Sequence, residues 1–159
     1  MAKEKHPVTP AIRELRDAKI QFEAMEYEYE EKGGTSQTAL ELNIDEHSVI
    51  KTLIFKADNN LICVLMHGDK EVSVKELARI INVKKIEQAD EKTSMNATGY
   101  QFGGTSPFAH RKKMPTYAES TIFELPFIYI NGGKRGFIIK LASEYLYTLL
   151  CPIKVKVAI

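Results

Sequence analysis

Residues 49–57, Val-Ile-Lys-Thr-Leu-Ile-Phe-Lys-Ala, restrict the possible folds more than any other segment. Side chains alternate across a strand, so Val49, Lys51, Leu53, Phe55 and Ala57 share one face. Ile50, Thr52, Ile54 and Lys56 share the other. A strand apolar on both faces has to be sandwiched between layers. Lys51 interrupts the first row, and an unpaired buried ammonium is costly. It therefore has a partner, snorkels to water from a strand end, or reaches a cleft. Asp58-Asn59-Asn60 after this run is a hairpin signal leading into a second strand, Leu61 to His67.

The remaining elements follow from caps and periodicity. Thr9-Pro10 opens a helix to about Lys19, with Pro10 at the first helical position. Phe22 to Tyr29 alternates as a strand, Glu30 to Gly34 is a loop, and Ser36 to Leu42 a short helix. Ser73-Val74-Lys75-Glu76 reads as a capping box for a helix to about Asn82. Lys84 to Gln88 is a strand and Asp90 to Ala97 a helix. Strands follow near Thr116 and over Phe127 to Ile130, then an Asn-Gly turn and a strand over Phe137 to Leu141. Ser143 caps a helix through Leu150, and Lys154 to Ala158 is the last strand. Helices and hairpins interleave, which predicts an α/β (α+β) fold with a mixed, largely antiparallel, curved sheet flanked by helices. The 159 residues suffice for one core, and we expect a single domain over residues 1–159.

Several classes are disfavoured. No apolar run reaches the ~20 residues of a membrane span, and the opening MAKEKHPVTP lacks an apolar signal core. Cys63 and Cys151 both sit in apolar surroundings, so no disulfide framework is expected, and a cytoplasmic location is. The net charge of +1 conceals a division: −5 over residues 1–50 and +6 over the rest. Such asymmetry permits a basic face for nucleic acid, or merely a solvated acidic edge.

Two glycine-rich segments carry the functional signal. Thr98 to Lys113, TGYQFGGTSPFAHRKK, contains Gly99, Gly103, Gly104, Ser106 and Pro107 and ends in His110-Arg111-Lys112-Lys113. Asn131-Gly132-Gly133-Lys134-Arg135-Gly136 follows some thirty residues later. Backbone N–H groups of such loops can line a concavity for a carboxylate, phosphate or oxyanion. The same residues also make plain β-turns with solvated cations. Tyr100, Phe102 and Phe108 could stack on a base or belong to the core. Cys63-x-x-x-His67-x-Asp69 contains metal-ligand residue types, but strand alternation accounts for it, and we expect no metal and no cofactor. No local motif pairs Cys151 with His6, His47, His67 or His110 as a nucleophile, and neither glycine segment has the Walker spacing.

Together, Ile50-Lys51-Thr52-Leu53, Thr98-Gly99-Tyr100-x-x-Gly103-Gly104-x-Ser106-Pro107 and Gly132-Gly133-Lys134-Arg135-Gly136 resemble the YbaK/EbsC family of aminoacyl-tRNA deacylases. That family is related to the editing domain inserted in bacterial prolyl-tRNA synthetases. The resemblance runs from Thr9-Pro10-Ala11 to the final helix, with Gly68 to Val72 also similar. It implies trans-editing: hydrolysis of an amino acid wrongly esterified to the 3′ end of tRNA, most simply cysteine or another small amino acid on tRNA(Pro). Aminoacyl-tRNA is the implied substrate and prolyl-tRNA synthetase a further partner. By the resemblance, Lys51 with Gly103, Gly104 and Ser106 forms the catalytic set. Tyr27, Thr52, Tyr100, Asn131, Gly132 and Gly133 bind substrate. Arg111, Lys112, Lys113, Lys134 and Arg135 meet tRNA. An aminoacyl ester is already activated, so donors aimed at the developing oxyanion, each worth about 3–4 kcal/mol, would supply most of the acceleration. In cysteine-selective members the substrate thiol assists its own release, which would remove the need for a protein base.

The chain departs from that pattern beside the expected pocket. Asn131 stands where many cysteine deacylases have Ser, Ile138 where a small or polar residue is common, and Phe108-Ala109 where Leu-Gly often follows Ser-Pro. These departures leave the amino acid open. The other reading is a non-catalytic aminoacyl-tRNA or nucleotide-binding module that acts with a synthetase.

Overall fold

The computed structural model describes residues 6–159. Half of the opening read above for signal character, residues 1–5, lies outside them. The elements are α1 (Pro10–Asp17), β1 (Glu23–Glu26), α2 (Gly34–Leu42), β2 (Val49–Ala57), β3 (Asn60–His67), α3 (Val74–Ile81) and β4 (Ile86–Gln88). Then come α4 (Glu91–Thr98), β5 (Thr116–Glu119), β6 (Phe127–Lys134), β7 (Phe137–Ala142), α5 (Glu144–Leu150) and β8 (Ile153–Val155). The strands form one mixed sheet in the order β1-β7-β6-β2-β3-β5-β8, with β4 also paired to β2. The α/β class expected from the sequence is the class observed, and the longest ladders, β2–β3 and β6–β7, are antiparallel. Among the described residues no helix is long and apolar enough to cross a membrane.

The central strand is sandwiched, as its sequence requires. Ile50 and Ile54 enter one core with Leu65, Phe108, Ile130 and Ile139, while Phe55 and Ala57 enter a second with Ile62, Val64 and Leu77. Each fully buried aliphatic contributes roughly 1.5–3 kcal/mol, so neither face of β2 can be uncovered cheaply. Thr9 caps α1 by accepting from Ile12 N, and its hydroxyl donates to Gly132 O, tying the helix start to β6. Ser73 and Asp90 cap α3 and α4 through Glu76 N and Thr93 N.

Four local expectations need correction. The Asn131-Gly132 pair is not a turn. It is a bulge inside β6, where the register shifts between Asn131 and Lys134, and the reversal falls at Arg135-Gly136. The cause is the Asn131 side chain, whose Oδ1 accepts from Gly133 N at 2.6 Å and Lys134 N at 3.1 Å, turning the backbone without ending the strand. Ser143 makes no side-chain cap; its hydroxyl donates instead to Leu125 O, fastening the start of α5 to the segment before β6. Regular pairing in β1 stops at Glu26, with Tyr27 N alone reaching Gly136 O. The last strand begins at Ile153 and ends at Val155; beyond it Ala158 bridges Val72, through backbone bonds of Val157 to Ser73 and of Ile159 to Glu71.

Candidate active site

The sheet has a gap beside β2. On the side away from β3, β2 pairs with β6 only at Val49 and Ile50, and with β4 only from Phe55 to Ala57. Ala89 N closes one further bond to Ile54 O. Between these contacts a cavity of about 390 Å³ opens against residues 49–54 of β2. Tyr27, Tyr29, Thr35 and Thr38 wall it on the α2 side, Ala89, Glu91 and Ser94 on the α4 side, and Phe102, Gly103, Asn131, Arg135 and Ile138 at the loops. Val49 O accepts from Gly68 N, so odd positions of β2 bond to β3 and the main chain of Thr52 points into the gap.

Lys51 and Thr52 therefore reach the same cavity from adjacent positions. The Lys51 side chain is 19% exposed, and its ammonium lies 3.4 Å from the exposed Glu71 carboxylate. Thr52 Oγ1 is buried without a hydrogen-bond partner among the described residues. Most buried hydroxyls are satisfied, which makes this one unusual. Tyr27 Oη sits 2.7 Å from Thr38 Oγ1, which fixes the phenol against α2 beside Ile138.

The two glycine segments pack against each other. A Cβ at Gly104 would stand 2.7 Å from Arg135 N and 2.9 Å from Lys134 C, so only glycine lets the backbones approach this closely. Asn131 Nδ2 reaches Gly103 O at 3.4 Å, adding a link between the loops.

Of the residues singled out from sequence, the structure brings Lys51, Thr52, Tyr27, Gly103, Asn131 and Arg135 to the cavity. Phe102 and Ile138, noted in the sequence for other reasons, line it as well, and the remaining expected site residues lie off its lining. Ser106 is fully buried and its hydroxyl accepts from Phe108 N at 3.2 Å, a local turn bond. Tyr100 is buried with its hydroxyl donating to Phe108 O, and burial pushes that phenol up to about 12. Gly104, Gly132 and Gly133 stand behind the lining, against Lys134–Arg135, the Phe137 ring and the Tyr100 ring. Arg111, Lys112, Lys113 and Lys134 are exposed and away from the cavity; Arg111 folds against Gly99. Tyr29, Thr35, Thr38 and Ala89 join the site without having been singled out, because loop closure and α2 docking bring them there.

The ligand-type residues assemble differently from the motif. Burial pushes the Cys63 thiol up to about 12, and it lies in the core. The atoms that approach within 4.8 Å of one another belong instead to His47, His67 and Asp69. The two imidazoles stack face to face at 3.7 Å, and both His67 nitrogens are engaged, with His47 O at 2.7 Å and Thr121 Oγ1 at 2.8 Å. Parallel rings with committed nitrogens do not converge on an ion. Asp69 is held below the usual carboxylate range: desolvation, the largest single influence, opposes this, but the His47 hydrogen bond at 2.9 Å, the neighbouring imidazoles and a backbone hydrogen bond together outweigh it.

Comparison with known proteins identifies the family. The model of the aminoacyl-tRNA editing domain matches residues 30–149. The chain belongs to the aminoacyl-tRNA editing domain family. It is 30% identical over 152 residues to a protein of Enterococcus faecalis named as a candidate Cys-tRNA(Pro)/Cys-tRNA(Cys) deacylase, EbsC, covering 94% of this chain and 93% of that one. It is 29% identical over 99 residues to the proline–tRNA ligase of Desulfotalea psychrophila, 62% of this chain but 17% of the ligase. Among solved structures, a candidate trans-editing enzyme for prolyl tRNA synthetase superposes with a TM-score of 0.81 at 16% identity, covering 96% of this chain and 99% of that one, a likeness of fold.

Proposed function

We propose that the chain, acting as one domain over residues 1–159, is a trans-editing deacylase that hydrolyses the ester of a mischarged aminoacyl-tRNA. One observation supports the reading: Lys51 and Thr52 both line one cavity at a break in the sheet. The 3′-terminal ribose would enter past Gly103, with the aminoacyl group toward Tyr27, Thr38 and Ile138. Water attacks the ester carbonyl carbon, and its π electrons move onto oxygen. In this reading the Lys51 ammonium and the Thr52 hydroxyl turn toward the bound ester and stabilise that oxyanion. Collapse expels the ribose 3′ oxygen, which takes up a proton, and leaves a free amino acid and an intact tRNA.

The name of the E. faecalis relative supports cysteine on tRNA(Pro) as the first substrate to try, with other small amino acids next. Prolyl-tRNA synthetase is the corresponding partner. Single-turnover deacylation of Cys-, Ala-, Ser- and Pro-charged tRNA by the isolated protein tests the reading. We expect hydrolysis of at least one small aminoacyl ester. Saturable binding with no turnover on any of them would instead favour the non-catalytic module.

A further inference from the structure

Three aromatic residues flank the first glycine segment, and they differ in what they offer a ligand. Tyr100 is 3% exposed and Phe108 fully buried, each committed to the core. Phe102 is 36% exposed and lines the cavity together with Gly103, Tyr29 and Arg135. Its main chain is pinned while its ring is accessible. Arg135 Nε donates to Phe102 O at 2.8 Å, and the same guanidinium lies 5.0 Å from the centroid of the Tyr29 ring. Gly103 is seated against the Tyr29 hydroxyl, which fixes the loop just beyond Phe102.

We propose that Phe102 is a stacking surface for the terminal purine of the substrate, a nucleoside subsite at the cavity mouth whose fixed rim is the Tyr29–Arg135 pair. The inference rests on the deacylase reading and deepens it. The base of an aminoacyl adenosine lies one sugar away from its ester, and Phe102 lines the same cavity as Lys51 and Thr52. An aromatic ring on a restrained backbone loses little freedom when a flat partner packs on it. Stacking on a side chain also tolerates thermal motion of a single-stranded end better than edge-on hydrogen bonding does. Arg135 adds positive charge where the adjoining phosphate passes, although its guanidinium is already held by Tyr29 and Phe102.

The test uses adenosine 5′-monophosphate as probe, with ribose 5-phosphate as the control that lacks the base. Binding is measured calorimetrically, and inhibition of deacylation in parallel. Wild type should bind the nucleotide and not the sugar phosphate. Phe102→Ala should weaken nucleotide binding about tenfold or more and raise KM for charged tRNA with kcat nearly unchanged. Phe102→Tyr and Phe102→Trp should restore both. Melting curves confirm that each variant is folded, as expected for a half-exposed loop position. Equal nucleotide binding by wild type and Phe102→Ala overturns the proposal, as does a loss that Tyr and Trp fail to rescue. Failure of wild type to hydrolyse any aminoacyl ester overturns the deacylase reading instead, and the binding arm tells the two failures apart.

Discussion

The Gly103 α-carbon faces the Tyr29 hydroxyl so closely that a methyl group there would lie 2.6 Å from the phenolic oxygen. Gly103 also has φ +89°, a conformation that costs other residues about 1–2 kcal/mol. Gly103→Ala should therefore lose stability through strain and activity through displacement of the loop. Adding Tyr29→Phe removes only the oxygen contact. Thermal melting and deacylation of the single and double variants should show partial recovery of activity without full recovery of stability. Complete recovery of both would mean that the contact alone matters.

Lys51 and Glu71 form an ion pair whose acidic partner is 79% exposed, and such pairs contribute at most about 1 kcal/mol. Lys51→Ala should abolish single-turnover deacylation while moving the melting temperature little. Glu71→Gln should leave both nearly unchanged. If the Glu71 variant is as inactive as the Lys51 variant, the ammonium acts through its ion pair rather than toward substrate.

Stability should fall in mild acid. Desolvation by burial holds the His67 and His110 imidazoles below their usual range, so the native state binds fewer protons than the unfolded chain. The contribution is fully present above about pH 6.5, the unfolded value, and is lost as pH drops from there toward the native values. The Thr121 hydroxyl lies between His67 Nε2 at 2.8 Å and Glu119 Oε2 at 3.0 Å, so the protonation state of the ring sets which of the two that hydroxyl donates to. Melting from pH 7.5 to 5.0 should show the decline, and His67→Gln should flatten it. An unaltered slope in that variant would assign the effect to His110 or another group.

The exposed cations after the first glycine segment should meet phosphate. Each phosphate contact contributes roughly 0.7–0.9 to the slope of log affinity against log salt. Arg111→Ala/Lys112→Ala should lower affinity for every charged tRNA about equally and reduce the slope by about one to two. Titrations from low to high salt measure it, and an unchanged slope would place these charges away from the nucleic acid.

The layered sheet was legible because Val49–Ala57 is apolar on both faces, and the Asp58-Asn59 hairpin and the Ser73 and Asp90 caps are local signals. Lys51 was legible as an oddity in an apolar row. Ser106 and Tyr100 were not separable from Gly103 in sequence, because burial behind a loop is decided by long-range packing. Tyr29 and Thr38 were missed for the same reason. The second glycine segment misled because Asn-Gly is a turn signal, and what overrides it is the Asn131 side chain bonding two residues ahead.

Thr52 marks where stability and function part company. A buried hydroxyl with no acceptor costs about 1–3 kcal/mol, and Thr52→Val would remove that cost while preserving the shape of the strand. A search for hardier variants that reads only melting temperature would select this replacement early. If the proposed role of Thr52 holds, it would arrive at a sturdier protein with slower deacylation, because the replacement removes the hydroxyl assigned to the substrate.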